Sequence, residues 1–227
     1  MKILYEDNHL LVALKEPFIL SQSDGSNTPD MLTILKKYLK DKYNKPGNVY
    51  LGLVHRLDKE VGGVMVFAKT SKAASRLSEQ VRLHKFEKYY LAVVNGIVED
   101  STYKDKILRE EYSSKIDKNG KDAVLSFETL DVTNNYSLVK INLLTGRHHQ
   151  IRVQFSSRGH SLLGDTRYGK KGKYSLALYA YRLAFYHPIT KEQIFFENIP
   201  SDGYFSKFNI KDLLKVTIQT IVRKNEE

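Results

Sequence analysis

The chain has 227 residues, and its 36 lysines and arginines against 26 acidic residues give it a formal charge of +10, which favours a polyanionic partner such as RNA or DNA. The absence of cysteine excludes disulfides and thiolate metal sites and suits a reducing compartment. No apolar run approaches the roughly 20 residues of a membrane-spanning helix, and acidic residues interrupt the N-terminal segment, so we expect a cytoplasmic protein with no membrane partner.

Short apolar runs bounded by turn residues predict the strands of the first part of the chain. These strands are Ile3–Tyr5, Leu10–Leu14, Val49–Val54, Val64–Ala68 and Lys88–Val94. Apolar residues at helical spacing predict one helix over Met31–Tyr43, with Asp30 as its N-cap, and another from Ser71 to about Lys85.

The second part of the chain is predicted to consist mainly of hairpins. The predicted strand pairs are Ala123–Val132 with Tyr136–Leu144, and Leu176–Tyr186 with Gln193–Glu197. Between them, Thr145 or Gly146 is predicted to cap a helix that runs to about Arg158, with Gly159 in the left-handed position beyond its end. Meandering strands with a few intervening helices predict an α+β fold, a mixed or antiparallel sheet with helices packed on it.

Three polar clusters call for an explanation: His55–Asp58, Lys88–Tyr90 and Arg147–Arg152. The first lies where a strand ends and the third where a helix is predicted to begin, and both are usual places for functional side chains. An arginine close to Asp58 would keep its carboxylate ionised and oriented. Because neither basic cluster contains a second acid, such a carboxylate is a poor acid–base pair but a reasonable nucleophile.

A metal site was weighed because the sequence holds several residues of ligand type. These are His148, His149, His160 and Asp165. Adjacent residues on a helix point about 100° apart, so tandem histidines on the predicted helix would not converge on one ion. No His-Glu-x-x-His spacing occurs either, and we therefore expect no bound metal.

Together the three clusters resemble the RluA family of RNA pseudouridine synthases, over Ile3 to about Pro200. The matching motifs are His55-Arg56-Leu57-Asp58 with Gly63 and an apolar strand behind it, Lys88-Tyr89-Tyr90-Leu91-Ala92 with Gly96, Gly146-Arg147-His148-His149-Gln150-Ile151-Arg152, Gly159-His160, Leu163-Gly164-Asp165 and Tyr168-Gly169. The sequence departs from the family where Lys15–Phe18 replaces an N-K-P-x-G turn, Val61-Gly62 replaces Thr-Ser, and His148 stands where threonine is common.

The resemblance implies a single catalytic domain over 1–227, built on a long, mostly antiparallel bent sheet. Its core would cover about 3–200, with a variable C-terminal extension at 201–227. Many family members carry an additional S4 RNA-binding domain, for which we expect no room here. The family reaction cuts the N1–C1′ bond of a uridine, turns the uracil and rejoins it through C5. Because the product is an isomer, no redox cofactor, ATP or metal is implied, and we expect a monomer.

Family roles carry over to three residues as catalytic. Asp58 resembles the nucleophile, Arg152 the arginine paired with it, and Tyr90 the ring that stacks on the flipped uracil and could accept a proton. Arg56 resembles the side chain that fills the gap left by the flipped base.

Substrate contacts are also implied for a further set of polar residues: His55, Arg147, His149 and Gln150. His55, Arg147 and Gln150 could equally hold the loop and the predicted helix together. Of the tandem histidines, one could bond locally while the other contacts substrate.

The implied partner is structured RNA, a stem-loop of ribosomal or transfer RNA, and the sequence does not identify the uridine. Two alternatives remain: a catalytically inactive RNA-binding protein derived from this fold, and a hydrolase that uses Asp58 with the histidines. The retained Asp58, Tyr90 and Arg152 argue against a pure binding protein, which gains nothing from a carboxylate facing phosphates. A hydrolase would cleave the RNA, whereas isomerisation leaves its length unchanged.

Overall fold

The computed structural model describes residues 2–133 and 135–215. In chain order its elements are β1 (Ile3–Glu6), β2 (Leu10–Lys15), α1 (Met31–Lys42), β3 (Gly52–Leu53), β4 (Gly62–Ala68), α2 (Ser71–Arg82), β5 (Glu87–Asn95), β6 (Ser101–Arg109), β7 (Ser114–Ile116), β8 (Lys121–Thr133), β9 (Tyr136–Leu143), α3 (Gln150–Ser156), β10 (Leu178–Tyr186), β11 (Gln193–Glu197) and a 3₁₀ turn (Phe205–Lys207). These elements form two compact units. One takes the described residues up to Lys88 and Ala180–Asn198, and the other takes Tyr89–Tyr179 and those from Ile199 onward.

The first unit is built around β4, which is buried along its whole length. Strand β2 pairs antiparallel with β1 on one side and with β4 on the other, β3 pairs with β4, β10 neighbours β4, and β11 pairs with β10. Buried side chains from β2, β4, β10 and α2, together with Phe86 just before β5, form one core cluster: Leu10, Val12, Val64, Val66, Ala68, Ala73, Leu77, Phe86, Leu183 and Phe185. Each fully buried Val, Leu or Phe side chain of the cluster stabilises the fold by about 1.5–3 kcal/mol relative to an exposed one.

The helices of the first unit begin at side-chain caps. The carboxylate of Asp30 accepts a hydrogen bond from the N–H of Thr33 at 3.0 Å, which confirms the predicted N-cap of α1. The hydroxyl of Thr70 does the same for α2, accepting from the N–H of Ala73 at 3.1 Å. Both caps satisfy N–H groups that have no partner inside the helix.

Glu6 joins α1 to the sheet. Its carboxylate accepts hydrogen bonds from the hydroxyls of Tyr38 (3.0 Å) and Tyr43 (2.7 Å) and from the ammonium groups of Lys42 and Lys69 (both 2.8 Å). Burial alone would raise the pKa of Glu6, but these hydrogen bonds outweigh it and lower the pKa to about 2. Glu6 is therefore charged at neutral pH and anchors the end of α1.

The second unit is an antiparallel sheet in the order β5-β9-β8-β6-β7. Helix α3 is short, and six of its seven residues are buried. Its Phe155 meets Tyr103 and Phe127 with ring centroids 5.1 and 4.9 Å apart, so the helix is held by an aromatic core.

The α+β class and the mostly antiparallel pairing are confirmed, and the predicted strands are found to within a few residues. Strands β6 and β7 were not predicted. The prediction of one domain over 1–227 stays a prediction, and most of the predicted C-terminal extension, residues 216–227, lies outside the described residues. Within the part of the chain that the structure describes, no helix is long and apolar enough to cross a membrane.

Candidate active site

Asp58 lies on the loop between β3 and β4, and the residue before it is fixed by Ser21. The Ser21 hydroxyl donates to the carbonyl of Leu57 at 2.8 Å and accepts from its N–H at 3.1 Å. Ser21 and Leu57 are both buried, so neither bond competes with bulk water. The chain therefore enters Asp58 in one orientation.

Lys15, the last residue of β2, fixes the chain after Asp58. Its side chain is 1 % exposed, and its ammonium donates to the carbonyls of Glu16 (3.1 Å), Lys59 (3.0 Å) and Val61 (2.7 Å). An ammonium has three donors and no acceptor, so these bonds satisfy it fully. Together with Ser21, Lys15 holds the Asp58 loop from both sides.

The charge of Lys15 is linked to that of Asp58. Burial lowers the pKa of Lys15 to about 8, and the negative charge of Asp58 works in the opposite direction by stabilising the ammonium. By the same attraction, the ammonium favours the ionised form of Asp58. A buried cation that holds the loop and attracts the Asp58 carboxylate suits a nucleophile that must stay charged.

The glycine at the end of the loop has a steric reason. Gly63 has a φ of +138°, a conformation that other residues rarely adopt. A Cβ built there would lie 2.2 Å from the carbonyl oxygen of Ala180 on the neighbouring strand β10. Only glycine lets β10 approach β4 this closely behind the Asp58 loop.

His55 and Arg56 differ in their surroundings. The His55 Nε2 accepts from the N–H of Val66 at 3.1 Å, and its ring meets Phe86 edge-on with centroids 6.1 Å apart. Burial, with a smaller contribution from the charge of Lys88, lowers the pKa of His55 to about 4, so the ring is neutral at physiological pH. These contacts hold the loop. Arg56 is exposed.

In the second unit, the polar cluster before α3 forms a turn rather than a helix. The Oε1 atom of buried Gln150 accepts from the Thr145 hydroxyl at 2.8 Å and from the N–H of Arg147 at 3.0 Å. His149 takes a left-handed conformation, with a φ of 53°, immediately before the helix. The predicted helix is present, but the prediction that Thr145 or Gly146 caps it was wrong: its N-cap is His149, because the Gln150 side chain closes a turn across the earlier positions.

The side-chain N–H donors of Arg147 and Gln150 differ in their hydrogen bonding. Arg147 Nε donates to the carbonyl of Asp122 at 2.8 Å, which ties the turn to β8. Gln150 is 2 % exposed, and within the described residues its Nε2 has no hydrogen-bond partner. A buried donor without a partner is costly and is often part of a binding site.

Arg152, on α3, forms a two-pronged ion pair with Asp165. Nε and NH2 of Arg152 lie 2.8 and 2.7 Å from the two carboxylate oxygens, and the side chains are 2 % and 0 % exposed. Burial alone would raise the pKa of Asp165, but the bonds from Arg152 and from the N–H groups of Tyr168 and Arg167 lower it below its usual value. Asp165 is therefore charged and holds the guanidinium plane in place.

The tandem histidines lie beside this pair. Their rings stack with centroids 3.7 Å apart, so the expectation that His148 and His149 diverge along a helix was wrong. His149 Nδ1 is 2.8 Å from the hydroxyl of Tyr168, and His148 Nδ1 is 3.0 Å from that of Ser114. Burial, followed by the charge of Arg152, lowers the pKa of His149 to about 3, so its ring is neutral. Among residues 2–133 and 135–215, no group of three ligand-type side chains is placed to hold a metal.

Tyr90 lies on β5 directly opposite Ile141 of β9. Its side chain is 8 % exposed. The hydroxyl-bearing ring is thus held by the sheet of the second unit, as Arg152 is held by α3.

The comparisons with known proteins bear on these motifs directly. A family model described as RNA pseudouridylate synthase matches residues 9–157, which contain Asp58, Tyr90 and Arg152. The chain belongs to the RluA family of RNA pseudouridine synthases. It is an RNA-modifying enzyme of the isomerase class.

Curated relatives of this synthase cover most of the chain. This chain is 34% identical over 222 residues to ribosomal large subunit pseudouridine synthase D of Zymomonas mobilis. The match covers 89% of this chain and 70% of the relative. The chain is 36% identical over 216 residues to an uncharacterized RNA pseudouridine synthase of Aquifex aeolicus, covering 87% and 68%. The solved structure of human RNA pseudouridylate synthase domain containing 4 matches the fold with a TM-score of 0.76 at 22% identity, over 90% of each chain.

In each unit the structure adds supporting residues that sequence reasoning had not identified. Lys15 and Ser21 fix the Asp58 loop, while Asp165 and Tyr168 fix Arg152 and His149. A lysine at the end of the apolar run of β2 could have indicated the support from Lys15 and Ser21. The family motif around Asp165 and Tyr168 could have indicated the second pair.

Proposed function

We propose that this synthase converts specific uridines of structured RNA to pseudouridine, with Asp58 as the nucleophile. The observation that carries the proposal is the loop itself: the residues on either side of Asp58 are held by the buried side chains of Ser21 and Lys15. A carboxylate on a loop fixed this firmly, next to a cation, suits attack on a bound substrate.

The proposed reaction needs no external oxidant or reductant. The N1–C1′ bond of the uridine breaks and a C5–C1′ bond forms. C5 loses its proton and N1 gains one, so the composition of the nucleotide is unchanged. Asp58 would attack the target uridine and be released when the new carbon–carbon bond forms.

Arg152 is proposed to hold the Asp58 carboxylate in its ionised state. Two hydrogen bonds to Asp165 hold its planar guanidinium in one orientation. A charged group that is already oriented does not have to be reorganised during the reaction.

Flipping the target uridine out of the RNA costs a few kcal/mol. We propose that Tyr90 stacks on the flipped uracil and is a candidate proton acceptor, and that exposed Arg56 enters the space left in the RNA. Arg147, His149 and the buried Nε2 of Gln150 are proposed as substrate contacts. His55 has the contacts of a residue that holds the loop.

Ribosomal RNA is the first substrate to test, because the Zymomonas mobilis relative is named for the large ribosomal subunit. A stem-loop of transfer RNA is the second. The charge of +10 fits either polyanion. We propose a cytoplasmic, monomeric enzyme that needs no cofactor.

The test uses in vitro transcripts of large-subunit ribosomal RNA and transfer RNA labelled with tritium at C5 of uridine. The wild type should release tritium without shortening the RNA. Asp58→Asn keeps the shape and removes the charge, so we expect normal folding and RNA binding with no detectable release. Asp41→Asn, on the exposed face of α1, is the control and should match the wild type.

Turnover near wild type in Asp58→Asn would remove Asp58 as the nucleophile. Tight RNA binding by the wild type without tritium release from any transcript would favour the inactive RNA-binding protein. Shortened RNA would favour the hydrolase.

A further inference from the structure

Phe18 has a backbone conformation that is unusual for an aromatic residue. Its φ is +68°, in the left-handed region that glycine and asparagine populate readily. For a bulky L-residue, this conformation brings Cβ close to the carbonyl and is strained. Strained residues persist only where surrounding contacts hold them, and they cluster at functional sites.

The contact that holds Phe18 belongs to the Asp58 loop. The N–H of Phe18 donates to the carbonyl of Lys59 at 2.7 Å, and the same carbonyl accepts from the buried ammonium of Lys15. Phe18 is thus bonded to the residue that follows Asp58. Its position is fixed relative to the proposed nucleophile.

The ring of Phe18 is 54 % exposed, so it contributes little to the core. Two basic residues of the Asp58 loop, Arg56 and Lys59, are exposed as well. The Phe18 backbone is bonded to this loop, so one surface segment presents an exposed aromatic ring and the loop bonded to it presents exposed cations. Single-stranded nucleic acid is bound by such combinations, since bases stack on rings while cations meet phosphates.

We propose that Phe18 is a positioning residue whose ring stacks on an RNA base next to the target uridine. The proposal rests on the function proposed above. It explains why a strained conformation and an exposed ring occur together at a residue bonded to the Asp58 loop. Stacking is tolerant of sequence, so Phe18 would hold the flanking nucleotide and leave the choice of uridine to other contacts.

The experiment compares Phe18→Ala, Phe18→Gly and Phe18→Tyr. Affinity is measured with the tritium-labelled transcript that the wild type modifies, with Asp58→Asn as the background so that no turnover occurs. Loss of one stacked base should weaken binding between about 5-fold and 150-fold in the Ala and Gly variants. Tyrosine keeps the ring and should bind like the wild type.

The salt dependence of affinity separates stacking from a phosphate contact. Stacking releases no counterions, so both truncations should weaken binding equally at every salt concentration and leave the slope unchanged. Phe18→Gly should also raise the midpoint of thermal unfolding by about 2–4 °C, because it relieves the left-handed strain. A gain in stability together with a loss of affinity is not expected of a residue whose role is structural.

Phe195→Ala is the matched control. Phe195 lies on β11 of the same unit, is 57 % exposed and has the Arg182 guanidinium 4.5 Å from its ring centroid, but it pairs with β10 and not with the Asp58 loop. It therefore tests whether the position beside the loop matters, and not merely an exposed ring with a cation. Its removal should leave the affinity unchanged.

Suppose that the enzyme with Asp58 releases tritium but Phe18→Ala does not weaken RNA binding. This result would overturn the stacking role of Phe18 and leave the proposed function standing. If the wild type modifies no transcript, the proposed function is wrong. This outcome depends on the wild type alone and is therefore distinct from any result with the Phe18 variants. The proposal would also be overturned if Phe18→Ala bound RNA normally but lost binding to a protein. That result would assign the ring to a protein partner.

Discussion

Arg152 and Asp165 are joined by two hydrogen bonds of 2.8 and 2.7 Å in a part of the second unit that is almost closed to solvent. Asp165 also accepts from the N–H groups of Arg167 and Tyr168, so one carboxylate fixes both α3 and the segment that follows it. The arginine proposed for catalysis is therefore part of the packing of its unit, and a single substitution there affects stability and turnover together.

Arg152→Met should destabilise the fold by about 3–5 kcal/mol, because it leaves the buried Asp165 charge without its partner. The double variant Arg152→Met/Asp165→Asn removes that charge and should regain much of the stability while remaining inactive. Thermal unfolding and tritium release measure the two effects. Arg152→Lys keeps a charge without the planar fork and should rescue turnover poorly. Full activity in Arg152→Lys or in the double variant would show that the fork is not needed.

Lys15→Met should reduce the turnover rate by tenfold or more, by an order-of-magnitude estimate for a displaced catalytic group. Methionine fills a similar volume, but it donates to none of the three carbonyls that Lys15 now bonds, so the Asp58 loop loses its support. Single-turnover rates at saturating RNA give the measurement. Lys36→Met, on the exposed face of α1, is the control. A wild-type rate in Lys15→Met would mean that Ser21 alone positions the loop.

Salt dependence should distinguish Arg56 from the lysines of the second unit. Each phosphate contact contributes about −0.7 to −0.9 to the slope of log affinity against log salt. Lys170→Ala or Lys171→Ala should weaken binding and flatten this slope while sparing single-turnover chemistry. Arg56→Ala should slow turnover more than it weakens binding. If saturating RNA restores the full rate of Arg56→Ala, this residue is another phosphate contact and plays no part in flipping.

Glu6→Gln should lower stability at about pH 7 by about 1–3 kcal/mol, since a neutral amide replaces a carboxylate that receives four hydrogen bonds. The pKa of Glu6 is lowered from 4.5 to about 2, so its stabilisation is complete above the higher value and is lost as pH falls through the lower one. The gap in unfolding midpoint between wild type and Glu6→Gln should therefore narrow between those values. Glu99→Gln, at an exposed position, should show no such narrowing.

The sequence predicted the elements that have strong local patterns. Asp30 caps α1 as expected, and the buried run of β4 is visible as an unbroken apolar stretch. Strand β6 escaped prediction because exposed polar and charged residues such as Lys104 dominate it, and of its nine residues only Tyr103 and Ile107 are buried. A short, weakly apolar alternation of this kind is easily mistaken for a loop.

Sequence motifs identified candidate residues where these are contiguous, and they missed supporting contacts between distant residues. Asp58 stands inside a recognisable four-residue motif. The support from Lys15 connects residues 44 and 46 positions apart, and no local pattern encodes such a contact. The start of α3 was misplaced for a related reason: the Gln150 side chain bonds backward to Thr145 and Arg147, and propensity scales treat each residue separately.

Gly63 limits how this enzyme can be re-engineered. Its φ of +138° and the 2.2 Å approach of the Ala180 carbonyl to any added Cβ leave no space for a larger residue. Consider a library that randomises the Asp58 loop to change substrate preference. If codon 63 is randomised as well, most variants will lack glycine there and will not fold. The exposed position Lys59 carries no such steric restriction and is the better place for diversity.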